Sequence, residues 1–423
     1  MNRQRSLAGW LSYLETLHPK AIALGLDRVK AVYARLAIAP RCPVITVGGT
    51  NGKGSTATFI ERMLDAGGYR AALYSSPHLL AYNERVRIAG TLASDAELCT
   101  AFEAVEAVRG DTPLTYFEFG TLAALWLFAR ADLDAWVLEV GLGGRLDAVN
   151  VVDPDVCVVT TIAIDHTDYL GPTREDIGRE KAGIFRSGRF AICADRDPPA
   201  SLIAHAQAIG AKLLTLGVDF GFTAEGLQWR YSGPGGPRFG LPYPALRGSY
   251  QLANAAAAIA ALDAVRDRLP LGMGAVRQAL VGIELPGRFQ VLPGRPVTVL
   301  DVAHNAQAAR AFAENLGAMG FHPRTFAVFG IMADKDVDAV VAALDAHVDR
   351  WLVATLPPPR GAKASRLAER LAHAGVAADA VDTFGDASAA YTAARGLAAE
   401  ADRIIVFGSF LTVAAALAKR VTA

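Results

Sequence analysis

Short hydrophobic runs alternate with longer segments of helical periodicity along most of the chain. Four of these runs are rich in β-branched residues and predict strands at 43–49, 71–76, 134–141 and 156–163. Helical patterns lie between them, at about 55–66, 94–108 and 118–131. Strands that alternate with helices predict an α/β fold with a mostly parallel sheet covered on both faces.

A segment rich in proline and glycine, "ELPGRFQVLPGRP" (284–296), interrupts this alternation. The pattern then restarts, with hydrophobic runs at 296–303, 325–332, 350–356 and 402–410. Because domain boundaries often fall in such segments, we predict a larger domain over 1–290 and a smaller α/β domain over 291–423. A second segment of this kind, 230–244, predicts a loop between short strands.

The composition narrows the class of protein. The 423 residues include 42 Lys+Arg and 42 Asp+Glu, so no overall basic field attracts nucleic acid or an anionic membrane. The N-terminal "MNRQRSLAGWLSYLETLHPK" predicts an amphipathic helix rather than a signal peptide, and no uncharged apolar stretch is long enough for a membrane span. The four cysteines lie far apart without a CxxC pair, which disfavours a zinc site or disulfides and fits the cytoplasm.

The stretch "VITVGGTNGKGSTATF" (44–59) carries the clearest chemistry. A strand ends at two glycines, and a short loop leads to Lys53, then to the hydroxyl of Ser55 and a helix. The loop amides and the helix N-terminus can hold a phosphate, Lys53 can reach a β- or γ-phosphate, and Ser55 can bind Mg²⁺. Glycines allow the backbone to approach closely at Gly48, Gly49, Gly52 and Gly54. The loop predicts nucleotide binding, although Gly54 follows the lysine where the common pattern has the hydroxyl residue.

Polar residues follow other predicted strands, at the sheet edge where ligands bind in parallel α/β proteins. Glu139 and Ser76 each end a hydrophobic run, and His166 follows a third run, between Asp165 and Asp168. Carboxylate and hydroxyl oxygens suit Mg²⁺, whereas histidine is a less usual ligand, so His166 also fits a capping or core role.

Lys181, in "GREKAGIF", allows two readings from the residues alone. In the first interpretation it pairs with a phosphate, and in the second it is a surface lysine on a helix that follows Pro172.

The variant loop "GTNGKGS" resembles the ATP loop of the Mur ligase superfamily. The chain resembles the bacterial dihydrofolate synthase/folylpolyglutamate synthase family over nearly its whole length. The motifs that carry this resemblance, besides the loop, are "YSSPHL", "NERVRI", "LEVGLGGRLDAVN", "IAIDHTDYLG", "LPGRFQ" and "DVAHN". The resemblance implies a P-loop ATP-binding domain with a folate-binding N-terminal segment, a smaller Rossmann-like glutamate-ligase domain, and an active site in the cleft between them.

The resemblance also implies roles for single residues. The ATP phosphates are expected at Thr50, Asn51, Gly52, Lys53, Gly54 and Ser55, and further ATP contacts at Asn254, Arg288, Asp301 and His304. The expected magnesium ligands are Ser76, Glu139 and His166. Lys181 matches a lysine that is carbamylated in this family, and it joins Lys53, His166 and Glu139 as a catalytic candidate. His304 and Ser409 match positions implicated in glutamate handling or active-site closure.

The pterin substrate is expected near Thr115, Phe117, Leu146, Asp147 and Ala148. Phe117 either stacks on the pterin ring or belongs to the core, and Asp147 is a hydrogen-bond candidate. "LGLDRV" (24–29) resembles the segment near the dihydropteroate site of the bifunctional enzymes. Val149 departs from the family, which usually has threonine there.

The expected function is an ATP-dependent amide ligase. It adds L-glutamate to dihydropteroate and to tetrahydrofolate through an acyl phosphate, with ATP and one or two Mg²⁺ ions. Its partners are these small molecules, without nucleic acid or membrane, and the family suggests a monomer. The alternatives are a monofunctional folylpolyglutamate synthase, a cell-wall Mur ligase, or an inactive P-loop regulatory protein.

Overall fold

The structure, a computed structural model, describes residues 5–20, 22–248 and 250–421. It confirms the α/β class, with a mostly parallel sheet followed by further α/β structure. The strands in chain order are β1 Val44–Gly48, β2 Ala71–Tyr74, β3 Val86–Ile88, β4 Thr91–Leu92, β5 Ala135–Glu139, β6 Val156–Val159, β7 Phe190–Cys193, β8 Lys212–Thr215, β9 Gly221–Glu225, β10 Gln228–Ser232, β11 Arg238–Pro242, β12 Gln290–Leu292, β13 Val297–Leu300, β14 Thr325–Phe329, β15 Arg350–Ala354, β16 Val381–Phe384 and β17 Arg403–Phe407.

The helices are numbered in the same way. They are α1 Leu7–Thr16, α2 Asp27–Leu36, α3 Lys53–Ala66, α4 Asp95–Arg109, α5 Tyr116–Arg130, α6 Thr167–Leu170, α7 Arg174–Ala182, α8 Ala200–Ile209, α9 Tyr250–Ala264, α10 Met273–Gly282, α11 Ala306–Gly317, α12 Val337–Leu344, α13 Ala364–His373, α14 Ala387–Leu397 and α15 Phe410–Val421. Within the described ranges, no helix is both long and apolar enough to span a membrane.

The chain divides into two compact units, one formed by 1–244 with 252–283 and one by 245–251 with 284–423. The functional limits at 1–290 and 291–423 stay a prediction.

The first unit contains an eight-stranded sheet in the order β4-β3-β2-β5-β1-β6-β7-β8. From β2 to β8 all neighbours are parallel, while β3 and β4 form an antiparallel edge. β1 lies between β5 and β6, with Thr46 opposite Leu138 and Cys157. All of its residues are buried, as expected for a strand of a parallel sheet covered on both faces. The loop after β1 is therefore fixed to a rigid central strand.

The second unit contains a six-stranded sheet in the order β12-β13-β17-β14-β15-β16. Its strands are parallel except for β12, which pairs antiparallel with β13 at the edge. Its core is mostly aliphatic and includes a group of aromatic residues, in which the rings of Phe329 and Phe407 stack with centroids 4.9 Å apart.

Most predicted elements are present, with shifted ends. The helix expected from about Ser55 begins two residues earlier, at Lys53. The Gly/Pro-rich segment 230–244 contains the end of β10 and all of β11, so only its middle is the expected loop. The sequence pattern predicted no strand at β3, β4, β7, β8, β9, β12 or β16, because these strands have only two to five residues, too few to show a clear hydrophobic pattern.

Candidate active site

The loop between β1 and α3 turns sharply at two glycines. Gly49 has φ +136° and Gly52 has φ +90°, a region that side chains rarely adopt. A Cβ atom on Gly49 would lie 1.9 Å from Oγ1 of Thr160, and one on Gly52 would lie 2.5 Å from Oδ1 of Asn254. Glycine is therefore required at both positions, and the structure brings Asn254 of α9 against the predicted phosphate loop.

Lys53 is the first residue of α3, and Gly52 is its N-cap, with no side-chain hydrogen bond to the helix start. The Nζ atom of Lys53 donates to the carbonyl oxygens of Gly49 (3.2 Å) and Thr50 (3.1 Å). The lysine thus folds back over the loop, beside amides at a helix N-terminus, which is a favourable site for a phosphate.

Lys181 is buried on α7, which rules out the surface-lysine interpretation. Its Nζ donates to the same carbonyl oxygen of Gly49, at 2.7 Å. Burial, with a smaller contribution from the positive charge of Lys53, lowers the pKa of Lys181 to about 7, while Asp165 and Asp147 act in the opposite direction. At neutral pH a large share of Lys181 is therefore an uncharged amine, beside the phosphate loop.

Ser76 and Glu139 come together at the ends of the neighbouring strands β2 and β5. Glu139 is buried, and its Oε2 accepts a hydrogen bond from the Ser76 backbone N–H at 3.1 Å. His166 is the N-cap of α6 with φ +52°, and its backbone N–H donates to Oδ1 of Asp165. Among the residues that the structure describes, no three His, Cys, Asp or Glu side chains form a metal-binding group. The oxygen donors of Ser76 and Glu139 still suit Mg²⁺, which usually keeps several waters.

The residues expected near the pterin lie at the start of α5 and in 146–148. Thr115 caps α5, and its Oγ1 accepts from the Glu118 backbone N–H. The Phe117 ring is half-buried, with its centroid 6.0 Å from that of Tyr74. A Cβ on Gly141 would lie 2.5 Å from the Phe117 ring, so the glycine permits this approach.

Asp147 is buried, and its carboxylate binds the backbone. Oδ2 accepts from Leu142 N–H (2.8 Å) and Oδ1 from Val149 N–H (3.0 Å). Burial raises the pKa of Asp147 to about 6 against the effect of these hydrogen bonds. Ala148 is buried directly after it, and Val149, the departure from the family pattern, is also buried.

The segment "LGLDRV" (24–29) is hydrogen-bonded both to the 146–148 segment and to α5. Gly25 N–H donates to the carbonyl oxygen of Leu146 (3.3 Å). Arg28 Nη2 donates to the Ala23 carbonyl oxygen (2.7 Å) and to Oε1 of Glu118 (2.8 Å). The arginine therefore fixes the segment to the first turn of α5.

The second compact unit contains the remaining predicted site residues, which are Arg288, Asp301, His304 and Ser409. Asp301 is buried after β13, and its carboxylate accepts from the backbone N–H groups of Phe289 and Ala303, both at 2.8 Å. Burial raises the pKa of Asp301 to about 6, although the positive charge of Arg288 opposes this. The Arg288 guanidinium lies over the Phe410 ring, 5.0 Å from its centroid.

His304 and Ser409 lie in loops of the same unit. The Nδ1 atom of His304 is 2.8 Å from the Val302 carbonyl oxygen. Ser409 is buried, and its Oγ accepts from the Leu411 backbone N–H. The candidate ATP contacts thus divide between the two units, with 50–55 and Asn254 in the first and Arg288, Asp301 and His304 in the second.

Thr160 and Thr161, at the exit of β6, also touch the phosphate loop and were not among the sequence-based candidates. Thr160 Oγ1 is 2.7 Å from the Asn51 carbonyl oxygen, and Thr161 Oγ1 accepts from the Asn51 N–H. The signal in the sequence was two consecutive hydroxyl residues at the carboxyl end of a predicted strand.

The fold and the site define an α/β protein of the Mur ligase class. Residues 47–262 match the Mur ligase middle domain, and residues 287–410 match the Mur ligase glutamate ligase domain. The chain is 46% identical to the dihydrofolate synthase/folylpolyglutamate synthase of Escherichia coli K12, over 96% of this chain and 94% of that protein. The chain belongs to the dihydrofolate synthase/folylpolyglutamate synthase family.

Solved structures agree with this assignment. E. coli FolC in complex with DHPP and ADP superposes with a TM-score of 0.93 at 45% identity, covering 99% of this chain and 98% of that one. A bifunctional folylpolyglutamate synthase/dihydrofolate synthase with Mn, AMPPNP and L-glutamate bound has a TM-score of 0.91 at 46% identity, covering 99% of this chain and all (100%) of that one.

Proposed function

We propose that the protein is an ATP-dependent ligase that adds L-glutamate to dihydropteroate, giving dihydrofolate, and to tetrahydrofolate, giving folylpolyglutamates. The observation that carries this proposal is the pair of lysines, Lys53 and Lys181, whose Nζ atoms both bond the Gly49 carbonyl oxygen of the phosphate loop. The family assignment supplies the acceptor class, and relatives bound to DHPP and to L-glutamate support it.

The reaction needs an activated carboxylate, because carboxylates do not condense with amines in water. An oxygen of the acceptor carboxylate bonds to the γ-phosphorus of ATP, and the bond from that phosphorus to the ADP oxygen breaks. The glutamate α-amine then attacks the acyl carbon, loses a proton and expels phosphate, which leaves an amide. Lys53 and the amides at the start of α3 would neutralise the charge that moves during phosphoryl transfer.

The site also suits Mg²⁺, which supplies charge neutralisation at the transferred phosphate when bound. Ser76, Glu139 and His166 would hold the ion, and Ser55 is a further oxygen donor at the start of α3. The contact between Ser76 and Glu139 supports the first two of these ligands.

We further propose that Lys181 is carbamylated. Its neutral Nζ would bond to the carbon of CO₂ and release a proton, which replaces an amine that is only partly cationic at neutral pH with an anionic oxygen donor. The burial of Lys181 and its lowered pKa support this, since only the uncharged amine reacts.

The remaining roles follow the family. Asn254, Arg288, Asp301 and His304 would contact ATP, Thr115, Phe117, Leu146, Asp147 and Ala148 would bound the pterin, and Ser409 would act in glutamate binding. Residues 1–290 would form the ATP- and folate-binding domain and 291–423 the glutamate-ligase domain. We expect a cytoplasmic monomer, and the four free cysteines fit a reducing compartment. Light scattering of the purified protein tests the oligomeric state.

The deciding experiment is a coupled ADP-release assay with Mg·ATP, L-glutamate and either dihydropteroate or tetrahydrofolate, with mass spectrometry of the products. Glutamate-dependent ADP release with both acceptors is expected. Turnover with tetrahydrofolate alone indicates a monofunctional folylpolyglutamate synthase. Slow ADP release that is independent of glutamate, with no condensation product, contradicts the proposal and favours a regulatory nucleotide-binding protein.

A further inference from the structure

Residues 160–163, which follow β6 and are here called the exit of β6, are hydrogen-bonded to residues 48–51 at the start of the phosphate loop. Thr160 is completely buried, its backbone N–H donates to the Gly48 carbonyl oxygen (2.9 Å), and its Oγ1 lies 2.7 Å from the Asn51 carbonyl oxygen. Thr161 Oγ1 lies 3.2 Å from the same carbonyl oxygen and accepts from the Asn51 N–H at 3.3 Å. The Thr160 hydroxyl therefore binds the carbonyl group of Asn51, and the Thr161 hydroxyl contacts both the carbonyl group and the N–H of Asn51.

The residue before Asn51 is held by the same strand exit. The Thr50 N–H donates to the Thr161 carbonyl oxygen at 2.6 Å. Thr50 Oγ1 also donates to the Ala163 carbonyl oxygen (3.2 Å) and accepts from the Ala163 N–H (3.1 Å). The loop is thus paired with residues 160–163 by a mixture of backbone and hydroxyl hydrogen bonds, in place of a regular ladder.

Peptide geometry turns these contacts into a constraint on the phosphate-binding amides. In a planar trans peptide, the carbonyl of one residue and the N–H of the next point in opposite directions. Because the Asn51 carbonyl points at Thr160, the Gly52 N–H points away from β6. Gly52 is the N-cap of α3, so its amide and those that follow are the donors that a phosphate meets.

We propose that the hydroxyls of Thr160 and Thr161 are positioning groups for the nucleotide, which hold the Asn51–Gly52 peptide so that the loop amides face the phosphates. Neither threonine touches the reacting atoms, and both act through the loop. The inference rests on the proposed function only in taking the bound nucleotide to be ATP or ADP.

The test compares Thr160→Val, which keeps the shape and removes the hydroxyl, with Thr160→Ser, which keeps the hydroxyl. Equilibrium titration with Mg·ADP should give a dissociation constant about tenfold higher for Thr160→Val, because the Asn51 carbonyl loses the shorter of its two hydroxyl hydrogen bonds, and within about threefold of wild type for Thr160→Ser. The KM for ATP should rise in parallel, while the KM for glutamate stays the same.

Thr46→Val is the matched control. Thr46 lies on β1, is buried, and its Oγ1 has no hydrogen-bond partner among the described residues. Its replacement should leave ADP affinity unchanged and should not lower the unfolding temperature, because no hydrogen bond is lost.

Unchanged ADP affinity in a folded Thr160→Val protein would overturn the proposal, even if its unfolding temperature fell. If Thr160→Val does not fold, Thr161→Val, at a half-buried position, decides by the same titration. If the wild-type protein binds ADP but does not form ADP from ATP in a glutamate-dependent reaction, the proposed function fails. The ADP titrations of the variants still test the positioning role in that case.

Discussion

Nζ of Lys181 lies 2.7 Å from the carbonyl oxygen of Gly49, although 132 residues separate the two along the chain. The Nζ of Lys53 bonds the same oxygen at 3.2 Å. One carbonyl group therefore holds the amino groups of two lysines at the phosphate loop, beside the proposed position of the ATP phosphates.

Replacement of Lys53 by alanine should abolish most turnover. The loss of a positive charge beside the transferred phosphate is expected to lower kcat by about 10²- to 10³-fold. The coupled ADP-release assay measures this, with circular dichroism to show that α3 remains folded. Turnover within a few-fold of wild type would remove Lys53 from the proposed mechanism.

Lys181→Ala should lower activity, and short carboxylic acids such as formate or acetate should restore part of it by supplying the missing anionic oxygen. The pKa of Lys181 lies at about 7, below its ordinary value, so the reactive neutral amine becomes more abundant as pH rises through 7. In ¹³CO₂-labelled buffer, a carbamate carbon resonance should therefore grow from about pH 6 to pH 8 in wild type and be absent from the variant. Full activity of Lys181→Ala in CO₂-depleted buffer would contradict the carbamate proposal.

Gly52→Ala should weaken nucleotide binding by about tenfold or more, because strain at positive φ costs about 1–2 kcal/mol and the new methyl collides with Asn254. Gly68→Ala is the matched control, since Gly68 has a similar φ of +84° but no atom within 4 Å of the added Cβ. Titration with Mg·ADP compares the two. Equal affinities would show that the contact between Gly52 and Asn254 has no bearing on the nucleotide.

Arg28→Ala should raise the KM for the pterin acceptors by roughly tenfold, since it leaves Glu118 without its charged partner and releases 22–28 from α5. The KM for ATP should not change. Arg35→Ala is the control on the same helix, because Arg35 bonds the Arg109 carbonyl oxygen at the far end of α4. A rise in the ATP KM of equal size, or the same effect from Arg35→Ala, would indicate a general loss of structure.

Glu139→Gln should increase the Mg²⁺ concentration needed for half-maximal activity, because the amide binds a divalent cation more weakly than the carboxylate does. Magnesium titrations of the ADP-release assay measure the shift. The exposed Glu103→Gln serves as a control for a lost surface carboxylate. No shift in Glu139→Gln would remove this residue from the ligand set.

The sequence determined the local features of the protein. Runs of β-branched residues marked β1, β2, β5 and β6, and the order strand, glycines, lysine, hydroxyl and helix marked the phosphate loop. These features depend on residues close together in the chain, through burial pattern and backbone freedom, so they can be read without a fold. The ordered motifs also indicated the family.

Only the tertiary structure decided what meets at the site. It buried Lys181 against Gly49, set Asn254 against Gly52, and bound both Asp147 oxygens to the backbone. It also joined Thr160 to Asn51 across more than a hundred residues. The pKa of a lysine and the hydrogen bonds of a carboxylate depend on how neighbouring strands and helices pack around them, and this packing is not encoded in the spacing of residues along the chain.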